Sequence, residues 1–320
     1  MRRSIVLAAL ALMLASCYGA IVDSNAPQDI AGGGWTTHAP MPTARQEVAV
    51  ATVGDRVFVI GGFADRAEAV GTVETYHPAT NTWDTRASVP VALHHAAAAV
   101  VDGRLFIVGG YTGGRIDWTA QRSVYEFDVA RNSWATRSPM PTARGGLAAA
   151  VLTGRIHAIG GSTGSASDAH EVYDPATDRW TRMAPMPTAR DHLAAVAFQG
   201  RLWAIGGRSS FIGTQYPNVD IYDADSDRWF RGPPLPAGRG GIAAAVLGNH
   251  VFVFGGEAPL RIFNATEMWE ASANGWIAKA SMPTPRHGIG AAVVGDRIYI
   301  PGGGTEPGYA RTNVNESYRP

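Results

Sequence analysis

Residues 144–180 read Arg-Gly-Gly-Leu-Ala-Ala-Ala-Val-Leu-Thr-Gly-Arg-Ile-His-Ala-Ile-Gly-Gly-Ser-Thr-Gly-Ser-Ala-Ser-Asp-Ala-His-Glu-Val-Tyr-Asp-Pro-Ala-Thr-Asp-Arg-Trp. Leu147 to Leu152 is an apolar run of mostly small residues. Thr153-Gly154 after it is hairpin-turn chemistry, because glycine reaches positive φ at little cost. Arg155 to Ile159 predicts a second strand, closed by Gly160-Gly161. After a polar loop, Glu171-Val172-Tyr173 starts a third strand. Asp174-Pro175-Ala176-Thr177-Asp178 is turn chemistry, with Pro setting φ and Asp capping its own backbone, and Trp180 opens a fourth strand. Four short antiparallel strands make a single small sheet, one blade of something larger.

The unit recurs along the chain. Trp35, Trp83, Trp134, Trp180, Trp229 and Trp276 each precede a Gly-Gly pair by 26 positions, the pairs beginning at Gly61, Gly109, Gly160, Gly206, Gly255 and Gly302. From each pair to the next Trp the interval varies: 22, 25, 20, 23 and 21 residues. A rigid block alternating with a variable loop, at a period of about 48 residues, is the mark of propeller blades. The inner strand reads Ala-Ala-Ala-Ala-Val at 96–100, Leu-Ala-Ala-Ala-Val at 147–151 and Ile-Ala-Ala-Ala-Val at 242–246. Wedge-shaped blades converging on an axis leave the innermost strand the least room, which explains the small side chains. Large aromatics sit seven apart further out: Tyr76 and Trp83, Phe127 and Trp134, Tyr173 and Trp180, Tyr222 and Trp229, Trp269 and Trp276. They are expected to fill the wide gaps between neighbouring blades.

An Arg at the start of the inner strand, Gly-Gly after the second strand, then Tyr and Trp seven apart: residues 35–320 resemble the kelch repeat in six registers. Leu93 replaces the Arg in one blade and Trp269 the Tyr in another. The resemblance implies an all-β, six-bladed kelch β-propeller. The last repeat, from Arg286 to Pro320, lacks its Trp; the missing one is Trp35, so the segment around Trp35-Thr36-Thr37 is expected to be the outer strand of the last blade. Closure of this kind leaves no free inner edge.

In such a blade the turn before the first strand and the loop after the second emerge on one face, and binding sites favour loops on a rigid scaffold. Arg45, Arg144, Arg190, Arg239 and Arg286 form one column with Leu93. A residue shared by five blades reads first as scaffold, its fork of donors bonding carbonyls of the adjacent blade. The next two columns differ among blades: Gln46-Glu47, His94-His95, Gly145-Gly146, Asp191-His192, Gly240-Gly241 and His287-Gly288. Four of the nine histidines fall here, and blades six, one and two are neighbours. His287, Gln46, Glu47, His94 and His95 are therefore expected to form a polar arc at the channel mouth. Three chemistries fit it. One is a hydrated mouth with histidines bonding carbonyls or water. The second is an acid/base site in which Glu47 and His95 or His287 move protons on a bound sugar. The third is a metal site of His94, His95, His192 and His287, opposed by the rule that adjacent strand residues such as His94 and His95 point to opposite sides. No metal and no cofactor are expected on that ground.

The loops after the Gly-Gly pairs offer further ligand-binding candidates: Tyr111, Arg115 and Trp118 (beside Asp117), Arg208, Phe211 and Tyr216, and Arg66, Glu257, Arg261, Phe263, Glu306, Tyr309 and Arg311. Arg45, Gln46, His94, Asp191 and His192 complete the set. Aromatic and Arg residues on loops suit protein hot spots or sugar stacking.

The N-terminus reads as a targeting segment. Arg2 and Arg3 form a positive region, and Ile5 to Leu14 an apolar region too short for an ordinary spanning helix. Leu14-Ala15-Ser16-Cys17 resembles the lipobox of bacterial lipoproteins, and Cys17 is the only cysteine. Residues 1–16 would be a signal peptide, Cys17 the lipidated residue, and 17–34 a lipid attachment and glycine-ended tether. A diacylglyceryl thioether plus an N-acyl chain is what the resemblance implies, and at about 0.8 kcal/mol per buried CH₂ more than one chain anchors stably. Tyr18, not Asp, follows the cysteine, which implies the outer membrane of a Gram-negative envelope.

Over its 320 residues the chain is 46% apolar and balances 27 basic against 27 acidic residues, with Lys279 the only lysine; no basic surplus points to nucleic acid. No disulfide is possible within one chain. No G-x-S-x-G or phosphate-binding G-x-x-x-x-G-K-[ST] motif is present. Galactose oxidase-like chemistry needs a Tyr–Cys crosslink, and the sole cysteine lies in the export signal. The reading is a lipid-anchored, extracytoplasmic, monomeric propeller. It would touch the membrane through its anchor alone and bind an envelope protein or a glycan with its loop face. The alternative, implied by resemblance to exported bacterial kelch proteins of the N-acetylneuraminate mutarotase group, is a non-redox sugar mutarotase or epimerase.

Overall fold

The computed structural model describes residues 33–320, together with the backbone of 21–22. The expected signal peptide 1–16, Cys17 and nearly all of the tether 17–34 lie outside the described residues.

Six four-stranded antiparallel sheets surround one axis. Blade 3 comprises Ala148–Leu152, Arg155–Ile159, His170–Asp174 and Arg179–Arg182, each within a residue or two of the span read from sequence. Thr153 (φ 50°) and Gly154 (φ 74°) form the turn between its first two strands, the left-handed pair that matches strand twist. In blade 6, Ala292–Val294, Arg297–Pro301 and Asn315–Arg319 are completed by Gly34–Thr37, with Trp35 opposite Tyr318. The ends thus join in one sheet as expected, the strand beginning at Gly34.

The aromatic columns do lie between blades. Tyr173 is fully buried with its ring 5.1 Å from that of Trp180, and the indole N–H of Trp180 donates to the Ser138 carbonyl of blade 2 at 2.8 Å. The same bond recurs in the other five blades, from Trp35 to Ala280, Trp83 to Ala39, Trp134 to Ala87, Trp229 to Ala184 and Trp276 to Pro233. The aromatic body fills the wedge and its one polar atom ties the blade to its predecessor.

The Gly-Gly pairs perform the matching task nearer the axis. The second glycine donates its N–H to the carbonyl of the first-column residue in the next blade: Gly62 to Leu93, Gly110 to Arg144, Gly161 to Arg190, Gly207 to Arg239, Gly256 to Arg286 and Gly303 to Arg45. A side chain on the first glycine would collide with that carbonyl; a Cβ at Gly160 would lie 2.6 Å from the Arg190 oxygen, at φ 62°. Only glycine meets both demands.

The Arg column is scaffold, but its partners correct the sequence expectation. Arg144 donates to Gly160, Ala169 and Ala158 carbonyls of its own blade, not an adjacent one, and forms an ion pair with Glu171 at 2.8 Å. Arg45–Glu74, Arg190–Asp220, Arg239–Glu267 and Arg286–Glu316 repeat the pair. The acid always stands two residues before the blade's Tyr or Trp, a column legible in the sequence that the reading above missed. In blade 2 both partners are replaced together, by Leu93 and Tyr125, which are buried in one apolar cluster.

Candidate functional site

The residue after each Gly-Gly pair exchanges two backbone hydrogen bonds with the second-column residue of its own blade: Gln46 with Phe63, His94 with Tyr111, Gly145 with Ser162, Asp191 with Arg208, Gly240 with Glu257 and His287 with Gly304. These pairs place both sequence columns and the post-glycine loops on one face, as expected. The third column closes a ring around the axis. Glu47 N–H donates to Gly288, Gly288 to Gly241, Gly241 to His192, His192 to Gly146, Gly146 to His95 and His95 back to Glu47, at 2.8–3.1 Å. Every ring residue is left-handed, with φ from 52° to 65°. Three are glycines. The other three, Glu47, His95 and His192, pay for that conformation with strain, a cost that concentrates at functional positions.

The left-handed turn also undoes the strand rule used above. His95 has φ 55°, so its ring does not point away from that of His94: the ring centroids are 4.8 Å apart and the two Nδ1 atoms 2.5 Å. The objection to joint participation of the two histidines therefore falls.

From His95 a continuous polar belt runs round the mouth. Glu47 Oε2 is 3.2 Å from His95 Nε2, and its Oε1 is 3.5 Å from His287 Nδ1. His287 Nδ1 lies 3.4 Å from Glu257 Oε1, which accepts from Arg208 at 2.7 Å. Arg208 Nε is 3.5 Å from Asp191 Oδ1, and that oxygen contacts His192 Nδ1 at 2.6 Å. The sequence arc thus extends through Glu257, Arg208, Asp191 and His192. Arg208 and Glu257, expected as exposed loop residues, are 6% and 1% exposed; they follow a Gly-Gly pair directly, and that backbone pairing turns them inward. Burial and charge set the protonation states. Burial works to raise the Glu47 carboxyl, but the imidazoles of His95, His287 and His192 outweigh it and hold the group well below the usual carboxylate range. Burial likewise works to lower His287, but Glu257 and Glu47 outweigh it and raise the group. Burial keeps His95 well below its usual value and pushes His94 to about 3. The belt therefore sets a Glu47 carboxylate between a His95 that burial biases toward the neutral imidazole and a His287 that its carboxylate neighbours bias toward the imidazolium.

Two loops roof the mouth. The blade-6 loop is strapped down by Gln46, which donates to the Gly308 carbonyl and accepts from the Ala310 N–H, and by Gly308 N–H on Glu257. From blade 2, Trp118 packs 4.8 Å from His95 and 4.9 Å from His94, and the Tyr309 hydroxyl donates to the Arg115 carbonyl. Phe63, unmarked in the sequence reading although it too follows a Gly-Gly pair, stacks on His94 at 3.9 Å. Between these loops lies a cavity of about 330 Å³ lined by Gln46, Phe63, Ala64, Arg66, Ala67, Arg115, Tyr309, Ala310 and Arg311. A separate cavity of about 80 Å³ runs down the axis, lined by the six ring residues and their successors Val48, Ala96, Leu147, Leu193, Ile242 and Ile289.

Other candidates part company. Arg45 is fully buried against Glu74 and takes no part in the mouth. Tyr111 is buried with its hydroxyl on the Ser162 carbonyl, and Phe263 is buried between the Arg239 and Arg261 guanidiniums, 5.2 and 4.5 Å from its ring. Neither can stack on a ligand. Tyr216 is half-buried, its N–H on Gly207. Trp118, Phe211 and Tyr309 stay exposed, with Ile116 and Ile212 on the first two of those loops and Leu260 on the blade-5 loop; of the described residues, Val91 and Phe230 are the other exposed large hydrophobics.

Comparison with known proteins agrees with this architecture. Residues 33–207 match the KLHDC2/KLHL20/DRC7 Kelch-repeats domain, and residues 189–236 match the Kelch motif. No curated protein matches the chain by sequence. Among solved structures, that of YjhT superposes with a TM-score of 0.72 at 17% identity, over 86% of this chain and 95% of that one.

Proposed function

The chain belongs to the kelch-repeat family, and from that premise we propose that it is a binding propeller whose loop face takes a small acidic carbohydrate. The observation that carries this reading is the 330 Å³ cavity, which sets Arg66, Arg115 and Arg311 around the exposed ring of Tyr309. Guanidinium forks suit a carboxylate, aromatic faces suit a sugar ring, and the volume suits a monosaccharide. Presentation outside the cytoplasm by a lipid on Cys17 belongs to the same proposal, as does action as a monomer. The test is calorimetric titration of the purified chain with N-acetylneuraminate and with glucose. The acidic sugar should bind at least tenfold more tightly and lose that preference in Arg115→Ala; equal affinities would overturn the reading.

The Glu47 geometry favours a second reading, a non-redox mutarotase. A Glu47 carboxylate 3.2 Å from His95 and 3.5 Å from His287 provides paired groups that can serve as base and acid for opening and reclosing a sugar hemiacetal. NMR of freshly dissolved N-acetylneuraminate should then show anomer exchange above the spontaneous rate, lost in Glu47→Gln. An unaccelerated rate would leave the binding propeller alone.

A further inference from the structure

The belt contains one group that neither reading uses. His192 Nδ1 is 2.6 Å from the Asp191 carboxylate, and its other nitrogen, Nε2, is buried without a hydrogen-bond partner; the side chain is 7% exposed. An imidazole whose one nitrogen is held by a carboxylate while the other stands free is the arrangement that presents a histidine to a metal. Two further donors face the same point. One donor atom each from Glu47, His95 and His192 lie within 4.8 Å of one another, and the Glu47–His95 pair is already at 3.2 Å. Zinc bonds of about 2.0–2.2 Å put tetrahedral donors about 3.3–3.6 Å apart, so the widest pair must close by roughly 1 Å. The adjoining axial cavity of about 80 Å³ has room for an ion and about two waters at about 30 Å³ each.

The backbone supports the assignment independently. The three candidate ligands are the three ring residues that are not glycine, each held at φ 52–55°, while Gly146, Gly241 and Gly288 occupy the equivalent positions at φ 59–65°. The fold needs only glycine there, and the side chains are retained against strain. We propose that Glu47, His95 and His192 bind one divalent transition-metal ion at the mouth of the propeller axis, with Asp191 positioning His192 and a coordination place left open to the axial cavity. Two imidazoles and one carboxylate are a donor set suited to zinc and its first-row neighbours. The inference does not rest on carbohydrate binding, whose cavity lies between the loops.

The experiment is equilibrium dialysis of the full chain against zinc chloride after chelator treatment, with metal counted by mass spectrometry. It is run on Cys17→Ser protein so that the sole thiol does not compete, and without sugar. One zinc per chain is expected, with affinity reduced at least 100-fold in His95→Gly, His192→Gly and Glu47→Gly, and about 10–100-fold in Asp191→Asn. Because glycine is the ring's own residue in three blades, its backbone is accommodated there, and a far-UV circular dichroism spectrum matching that of the zinc-free parent establishes that the glycine variants fold. His77→Gln, at the end of the third strand of blade 1 and paired there with Asp84, should keep its zinc. Failure of the parent chain to retain zinc, or undiminished zinc in His192→Gly, would overturn the site while leaving the sugar titration untouched.

Discussion

Arg144→Leu isolates the energetics of the repeat. The Arg144 guanidinium is fully buried, donates to three backbone carbonyls and pairs with Glu171 at 2.8 Å. Its removal leaves Glu171, 2% exposed at the side chain, with Thr142 donating at 2.7 Å and Arg182 as far as 3.8 Å. Breaking a buried pair from one side costs about 3–5 kcal/mol, because a charge remains without compensation. In a domain of this size, at about 2.1 cal/mol/K of unfolding entropy per residue, that is roughly 5–8 °C in Tm. Blade 2 supplies the rescue: its Leu93 and Tyr125 replace both partners and pack in one core. Arg144→Leu combined with Glu171→Tyr is therefore expected to recover most of the loss, since replacing a whole buried pair by apolar side chains is often neutral. Urea denaturation of wild type, both single variants and the double variant gives the cycle. A single variant costing under 1 kcal/mol, or a double variant no more stable than Arg144→Leu, would refute the argument.

Stability should also fall in acid for an identifiable reason. Burial pushes His157 down to about 4 and His170 to about 3, so the unfolded chain takes up protons below pH 6.5 that the native chain refuses. Their stabilisation is whole above pH 6.5 and declines as pH falls toward the folded values, by on the order of 2–3 kcal/mol per histidine at pH 4.5; His170→Gln should flatten the slope of urea midpoints against pH. Gly160→Ala should cost several kcal/mol in the same assay, because its Cβ meets the Arg190 carbonyl at 2.6 Å, whereas Gly154→Ala, at φ 74° with nothing within 4 Å, should cost about 1 kcal/mol. Cys17→Ser should abolish incorporation of a labelled fatty acid and release the protein from the detergent phase on partitioning; label retained in the variant would remove Cys17 from the proposal.

The sequence by itself determined the number of blades, their strands, the closure of the last blade by Trp35 and the aromatic wedges. Each of these is a demand that every blade meets with the same residue, so six copies register against one another. The acid two residues before the blade aromatic belonged to the same legible class. What only the tertiary structure decided is where the copies differ. Strand alternation predicted that His94 and His95 diverge, but a hydrogen-bond ring closed through six blades holds His95 left-handed and brings the two rings together. Arg208 and Glu257 read as loop residues until pairing with Asp191 and Gly240 turned them into the belt. Tyr111 and Phe263 fold inward where Trp118 and Tyr309 stay out. In each case the deciding contact joins residues far apart in the chain, and local spacing carries no record of it.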